Sequence, residues 1–150
     1  MSNIANITVF DGATTPISHV LVPVSVTRKD NKISALWREQ LTGVPLEGQV
    51  SLQTELEQLK SGTWHYVATV SVPVMESISG QNAAGYTAAP KVAFVDTVRL
   101  EGYHSRRSTI TGRRLARQML TNLMGNVTTS VAPATAGFLP ELVDQLISAT

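Results

Sequence analysis

Five arginines lie within twelve positions of this chain and are its clearest candidates for binding chemistry. They are Arg106, Arg107, Arg113, Arg114 and Arg117, out of 12 basic residues in the whole chain. Guanidinium groups at this density could clamp the phosphates of a nucleic acid. At helical spacing, however, Arg114 and Arg117 lie opposite an apolar stripe. The interpretation we favour is therefore the polar side of an amphipathic helix, either solvated or in contact with another subunit.

Patterns of catalytic and metal-binding residues are missing from the sequence. His19, His65 and His104 lie on separate predicted elements without the spacing of metal ligands. The sequence has no phosphate-binding glycine loop, no Gly-x-Ser-x-Gly elbow and no His-Glu-x-x-His pair. It contains no cysteine, which excludes disulfides, cysteine-zinc sites and thiol nucleophiles. We expect neither an enzyme nor a cofactor, a metal site or a small-molecule substrate.

The polar side of the predicted strands is the second candidate surface. Apolar and polar residues alternate along these strands, so every second side chain points to the same face. In an antiparallel sheet, the polar side chains that would lie side by side are Ser51, Gln53, His65, Thr69, Ser71, Thr97 and Arg99. Such a face is either simply hydrated or a binding platform, and composition leaves both alternatives open.

The elements that position these residues change type once along the chain. Alternation typical of β-strands fills residues 6–101, and helical apolar spacing begins only after Ser105. Asp96 falls on the apolar side of the last strand, where a bulge would explain it. An aperiodic loop is predicted at 76–89. Strands are predicted at 7–10, 20–27, 33–38, 50–57, 64–74 and 91–101.

Two helices are predicted after the strands. The first begins near Ser105 or Ser108, either of which can cap it, and ends at Gly125. The second covers about Leu139 to Ser148. Two helices are too few to cover a six-stranded sheet, so the pattern predicts an α+β domain that completes its core with a partner.

The apolar stripes of these helices form the predicted partner-binding surface. Charged residues make up only 15% of the chain, against roughly 25% in an average soluble domain, which fits surface buried between subunits. The net charge of +1 argues neither for nor against nucleic acid. The residues expected at a dimer interface are Leu115, Met119, Leu120, Leu123, Leu142, Val143 and Leu146.

The length of 150 residues predicts a single domain. No apolar run approaches the roughly 18 residues of a membrane span, so we expect no membrane partner. The first residues have neither the basic region nor the apolar core of a signal peptide. We expect synthesis and folding in a cytoplasm.

In the order and length of its elements, the chain resembles the coat proteins of single-stranded RNA bacteriophages, the leviviruses. The resemblance covers most of the length, and no single motif is diagnostic. It includes the loop at 76–89 and the long strand that precedes the helices. The segments that carry it are the hairpin around Asp11-Gly12, Ala35-Leu36-Trp37, Val70-Ser71-Val72-Pro73, the strand ending in Tyr103-His104-Ser105, the helix Arg107 to Met124 and the ending Phe138-Leu139-Pro140-Glu141-Leu142-Val143-Asp144-Gln145-Leu146.

This resemblance implies an N-terminal β-hairpin and a five-stranded antiparallel sheet over residues 1–104, with a helical dimerisation arm over 105–150. Two chains would interlock so that their sheets form one ten-stranded sheet. Dimers would build an icosahedral shell of quasi-equivalent subunits, assembled in the cytoplasm of a bacterial host and present in the virion. The loop at 76–89 would lie at the vertices of the shell.

The resemblance also implies that the uncovered sheet face binds genomic single-stranded RNA, in several relatives a hairpin whose binding represses translation. Carried over by position, the RNA-binding residues would be Ser34, Ser51, Gln53, Glu55, His65, Val67, Thr69, Ser71, Thr97 and Arg99. Relatives often have lysine or arginine on strands where this chain has Glu55 and Glu57. A shell function is therefore better supported than hairpin-specific repression. The alternative is a non-viral nucleic-acid-binding protein that uses the arginine-rich helix.

Overall fold

Six antiparallel strands in chain order form the sheet on which the rest of the molecule packs. The computed structural model describes residues 4–77 and 88–149. Each strand pairs with the next, in the order β1-β2-β3-β4-β5-β6, which confirms the predicted antiparallel sheet followed by helices. The elements are β1 (Ile7–Phe10), β2 (Ser18–Lys29), β3 (Lys32–Arg38), a 3-10 turn (Leu46–Gly48), β4 (Ser51–Gln58), β5 (Trp64–Met75), β6 (Val92–His104), α1 (Ile110–Met124) and a C-terminal helical segment (Phe138–Pro140 and Glu141–Gln145).

The N-terminal hairpin and the rest of the sheet share strand β2. The residues of β2 from Ser18 to Leu21 pair with β1, with Leu21 opposite Ile7. The residues from Val22 onward pair with β3. The register shifts between Pro23 and Ser25, because proline has no N–H to donate to the ladder. The hairpin and the five-stranded sheet expected from the resemblance are thus parts of one six-stranded sheet.

Strands β5 and β6, two of the three longest strands, pair in regular register along most of their length. Their register shifts between Val74 and Met75. Asp96 pairs with Val72 in the regular part and is exposed, so the bulge expected at Asp96 is not found there. Most of the predicted loop at 76–89 lies outside the described residues.

The N-cap of helix α1 lies one residue after Ser108, the second of the two serines suggested as its cap. Thr109 is the N-cap, and its Oγ1 accepts a hydrogen bond from the Gly112 N–H at 3.2 Å. The prediction of Ser105 or Ser108 as the cap was therefore wrong. The helix ends at Gly125 as predicted. No helix within 4–77 and 88–149 is long and apolar enough to cross a membrane.

The second helix is shorter than predicted. Its single α-helical turn widens into a π-helical turn over Glu141–Gln145, and Leu146 then adopts a left-handed conformation with φ of 58°. The N–H groups of Leu146 and Ile147 both donate to the carbonyl of Glu141. This closed turn ends the helix before Ser148.

The core lies between the apolar face of the sheet and the chain's own C-terminal segment. Trp37 is at the centre of one cluster, where its Nε1 donates to the carbonyl of Ala5 at 3.0 Å and its ring packs edge-on against Phe138 at 4.6 Å. The other buried members of this cluster are Leu21, Ala35, Leu52 and Ala149. A second cluster joins Leu56, Tyr66 and Ala68 of the sheet to Leu142 and Val143. Both clusters pack against the same face of the sheet. The opposite face is turned toward solvent in this chain.

Candidate nucleic-acid interface and subunit contacts

The strand register brings the ten candidate RNA-binding residues together on the face of the sheet opposite the core. They lie in rows that cross the strands, because paired residues of neighbouring strands point the same way. The role of these residues in binding stays a prediction. The rows are Ser34–Glu55–Val67–Glu101, Gln53–Thr69–Arg99, Ser51–Ser71–Thr97 and Glu57–His65–Tyr103.

Val67 differs from the other candidates because it is buried. Its side chain is only 3% exposed, between Glu55 and Glu101 in its row. The Glu55 carboxylate is held by Gln53 Nε2 at 3.3 Å and by Lys32 Nζ at 2.8 Å. This burial leaves the Val67 side chain little surface for a direct contact with RNA, and the contact expected from its position stays a prediction.

Two cations on this face are paired with neighbouring carboxylates. Lys32 contacts Glu55, and an Arg99 guanidinium nitrogen lies 3.1 Å from Glu101 Oε2. Arg99 remains accessible, since its side chain is 54% exposed. Attraction of the face for phosphates is therefore reduced by carboxylates that share its surface.

An aromatic and polar cluster that the sequence analysis missed lies at the end of β6. The Tyr103 ring stacks on His65, with centroids 4.5 Å apart and planes 11° from parallel. Glu101 Oε1 accepts a hydrogen bond from the Tyr103 hydroxyl at 3.0 Å and lies 2.8 Å from His65 Nε2. The alternation of residues 99, 101 and 103 could have revealed the cluster, but the strand predicted from alternation ended at Glu101, and only the resemblance extended it past Tyr103.

The hydrogen bonds of this cluster change the acidity of its members. The bonds from His65, then from Tyr103, hold the pKa of Glu101 below its ordinary value. The bond to Glu101 raises the pKa of Tyr103. Glu101 therefore stays an anion, and Tyr103 stays a hydrogen-bond donor, at neutral pH.

The arginines of α1 bind the chain's own C-terminal segment. Arg117 grips the Asp144 carboxylate with two hydrogen bonds, both of 2.9 Å, and donates a third bond to the carbonyl of Ala134 at 2.7 Å. Arg114 Nε lies 3.3 Å from the same carboxylate. Arg113 is buried, and its Nε donates to the backbone carbonyl of Asp144 at 2.7 Å. The prediction of a solvated or partner-contacting arginine face is wrong for these three residues.

Asp144 is the anion around which these arginines gather. Its side chain is fully buried. Burial alone would raise its pKa, but the hydrogen bonds and charges of Arg117 and Arg114 outweigh burial and hold the pKa below its ordinary value. The bond to Asp144 in turn raises the pKa of Arg117. The three arginines of α1 are thus bound to acceptors within the chain's own fold.

The apolar stripe of α1 faces away from the rest of the chain. Leu123, for example, is 77% exposed. Large apolar side chains with this exposure, in a continuous stripe, mark a contact surface rather than a solvated one. The predicted interface residues on this exposed stripe are Leu115, Met119, Leu120 and Leu123.

The remaining predicted interface residues lie in the chain's own core. Leu142 and Val143 are fully buried against the sheet, and Leu146 packs on the same cluster. Their side chains are thus already packed within the single chain, and their role as dimer contacts stays a prediction. The short C-terminal segment needed an apolar surface to dock on, and the chain's own sheet supplies it.

A second exposed apolar surface continues from the core toward the edge of the sheet. Val70 and Val72 on β5 and Phe94 and Val98 on β6 are exposed on the core side of the sheet. Strand β6 is the last in the sheet order, so one of its edges has no strand partner among the described residues. Exposed edges of this kind are templates for pairing with another strand.

The other two histidines have contacts within the fold. His19 Nδ1 lies 2.8 Å from Glu39 Oε1, and His104 stacks on Tyr66 with ring centroids 5.1 Å apart. Burial, followed by the nearby charge of Arg113, lowers the pKa of His104. Within the described ranges, no group of three or more His, Cys, Asp or Glu residues could hold a metal ion.

Comparisons with known proteins point to one family. A family model described as Levivirus coat protein matches residues 2–140. The virus-like particle of bacteriophage EMS014 contains a chain 34% identical to this one, with a TM-score of 0.68 over 86% of this chain and 81% of that chain.

More distant solved structures share the fold. The virus-like particle of bacteriophage ESE058 matches at 19% identity, with a TM-score of 0.68 over 97% of this chain and 98% of that chain. The virus-like particle of Beihai levi-like virus 21 matches at 21% identity, with a TM-score of 0.65 over 99% of this chain and 98% of that chain. A search of curated proteins found no significant match.

Proposed function

Because the chain belongs to the levivirus coat protein family, we propose that it is a capsid subunit that forms dimers, assembles into an icosahedral shell and packages single-stranded RNA. Proteins of this family are structural rather than enzymatic, and their place is the virion. The observation that carries the proposal is the α1 stripe, which turns its apolar side chains away from the chain that bears it.

Dimerisation is supported by the chemistry of this stripe and of the nearby sheet surface. Each leucine that a partner buries contributes roughly 1.5–3 kcal/mol, and a twofold dimer buries each contact twice. The exposed valines of β5 and Phe94 and Val98 of β6 offer an apolar surface of matching character. We propose that α1 of each chain lies over this surface of its partner.

The free edge of β6 supports a joined sheet. Two copies of β6 that pair about a twofold axis would satisfy the N–H and C=O groups of both edges. Strands β2 to β6 of each chain would then form the expected ten-stranded sheet, with the short β1 paired to β2 at each outer edge. The helices would cover one side of this sheet and leave the polar face of both chains on the other.

RNA packaging is assigned to the polar face, which would point into the shell. It carries hydroxyl and amide groups at Gln53, Thr69 and Thr97, and an exposed guanidinium at Arg99. Such groups contact phosphates, sugars and base edges. Repression of translation by hairpin binding would use the same face. The carboxylates of Glu55 and Glu101 favour packaging of many sequences over tight recognition of one.

The first test is the assembly of the purified chain. Electron microscopy should reveal closed shells, and RNA inside them should survive nuclease treatment. Leu123→Asp should give a folded chain that neither dimerises nor forms shells, because the charge falls on an exposed stripe and not in the chain's own core. Thr121→Asp, exposed on the same helix, is the matched control and should assemble normally. Normal dimers of Leu123→Asp would contradict the proposed interface.

A further inference from the structure

We infer that Tyr103, stacked on His65 and hydrogen-bonded to Glu101, is a base-stacking site for unpaired nucleotides of single-stranded RNA. The inference rests on the proposed RNA-binding role of the polar face. It adds Tyr103, at the end of β6, to a face on which sequence position predicted His65 but not this tyrosine.

The Tyr103 ring is held in place and still accessible. It is 60% exposed, although it is stacked on His65 at a centroid distance of 4.5 Å. The His65 side chain is only 17% exposed, so in the single chain the tyrosine covers the histidine and has its own outer surface free. A ring whose orientation is already set loses little conformational entropy when a base stacks on it.

Polar contacts around the ring fix its position further. The Tyr103 hydroxyl donates to Glu101 Oε1 at 3.0 Å, the same oxygen that lies 2.8 Å from His65 Nε2. Arg99 holds the other carboxylate oxygen at 3.1 Å. An exposed guanidinium therefore lies close to the aromatic ring. A cation for the phosphate beside an aromatic ring for the base is the combination that single-stranded nucleic acids bind.

The charge balance of the face also favours a base as the ligand of this site. Lys32 and Arg99 are paired with Glu55 and Glu101, so phosphate attraction alone is weakened. Stacking does not depend on net charge, and it tolerates any sequence because every base has a π-face. A coat protein that packages a whole genome requires this tolerance.

Binding of short RNA to the dimer tests the inference. The probes are a single-stranded oligoadenylate and an abasic ribose-phosphate chain of the same length, each titrated at several salt concentrations. Tyr103→Leu should weaken binding of oligoadenylate by about 5- to 150-fold, the range for loss of one stacked base. It should leave binding of the abasic chain, and the salt slope, unchanged. Tyr103→Phe keeps the ring and should recover most of the lost affinity.

A matched control removes an aromatic ring elsewhere. Phe10 on β1 is 64% exposed and lies at the opposite edge of the sheet from Tyr103, so Phe10→Leu should leave oligoadenylate binding unchanged. Equal affinities of Tyr103→Leu and the unmodified dimer would overturn the inference and leave the proposed function intact. Loss of dimers in Tyr103→Leu would also overturn it, because the ring would then be a subunit contact. Failure of the unmodified protein to bind either probe would instead refute the proposed RNA packaging.

Discussion

The arginines of α1 and Arg99 of β6 have the same side chain in opposite surroundings. Arg113 and Arg117 are largely buried and turned inward, where Arg117 grips the carboxylate of Asp144 and Arg113 its backbone carbonyl. Arg99 stands on an open face, exposed over half of its side chain, with one contact to the partly exposed Glu101. The three arginines of α1 are structural, and the isolated Arg99 is the better candidate for binding.

The difference between the two regions lies in the partner of each cation. A buried carboxylate with charge-assisted hydrogen bonds commits its arginines to one geometry, because separating them would leave charges uncompensated in a dry environment. A surface ion pair exchanges readily with solvent and with phosphates. The density of positive charge in a sequence therefore indicates a nucleic-acid site only if the fold leaves that charge free.

The largest effect in this comparison is expected from removal of the central anion. Asp144→Asn leaves Arg114 and Arg117 without their countercharge next to a buried site. We expect the free energy of unfolding to fall by about 3–5 kcal/mol, measured by urea denaturation at fixed protein concentration. Glu141→Gln is the matched control, since Glu141 has no ion pair among the described residues, and it should change stability little. A loss below 1 kcal/mol in Asp144→Asn would mean that the cluster does not stabilise the fold.

Acid pH should produce the same effect by protonation. The folded pKa of Asp144 is held below its ordinary value, so its carboxylate stabilises the fold above the unfolded pKa, and this contribution is lost as the pH falls through the folded pKa. The stability difference between the unmodified chain and Asp144→Asn should therefore be constant near neutral pH and shrink below about pH 4. A difference that does not depend on pH would show that Asp144 acts through packing rather than charge.

A smaller effect should follow when only the geometry of a helix arginine is changed. Arg117→Lys keeps the charge but loses the two-point grip on Asp144 and the bond to Ala134. We expect a loss of about 1.5–3 kcal/mol in the free energy of unfolding, with unchanged RNA content in the particles that form. Normal stability with reduced RNA content would instead restore the helix as the nucleic-acid site.

The sequence predicted the local parts of this structure well. Strand alternation is set by neighbouring residues, so the strands and the common face of Gln53, Thr69 and Arg99 could be predicted from spacing alone. The end of α1 at Gly125 is a local signal as well. Their accuracy reflects interactions that span only a few residues.

The prediction failed where distant segments decide the environment of a residue. Asp144 lies 27 positions from Arg117, and nothing in the local pattern connects them. An apolar helical stripe normally faces the chain's own core, but here Leu123 is exposed and the arginine side packs inward. Alternation places Val67 on the polar face of the sheet, and yet it is buried. A period-two pattern shows on which face a residue lies, but not whether longer side chains around it cover it.

The smallest effect is expected at Arg99, and it discriminates most directly between the two regions. If Arg99 contacts one phosphate of single-stranded RNA, Arg99→Ala should make the slope of log affinity against log salt shallower by about 0.7. The fold should be unaffected, because the side chain is exposed and its loss leaves no buried charge. Arg28→Ala is the matched control. Arg28 is also exposed but pairs with Ile33, on the core side of the sheet, so its removal should not change the slope. A change of slope in Arg99→Ala alone would assign the phosphate contact to the polar face. A change of slope in Arg28→Ala alone would place the RNA on the core side of the sheet and contradict the proposal.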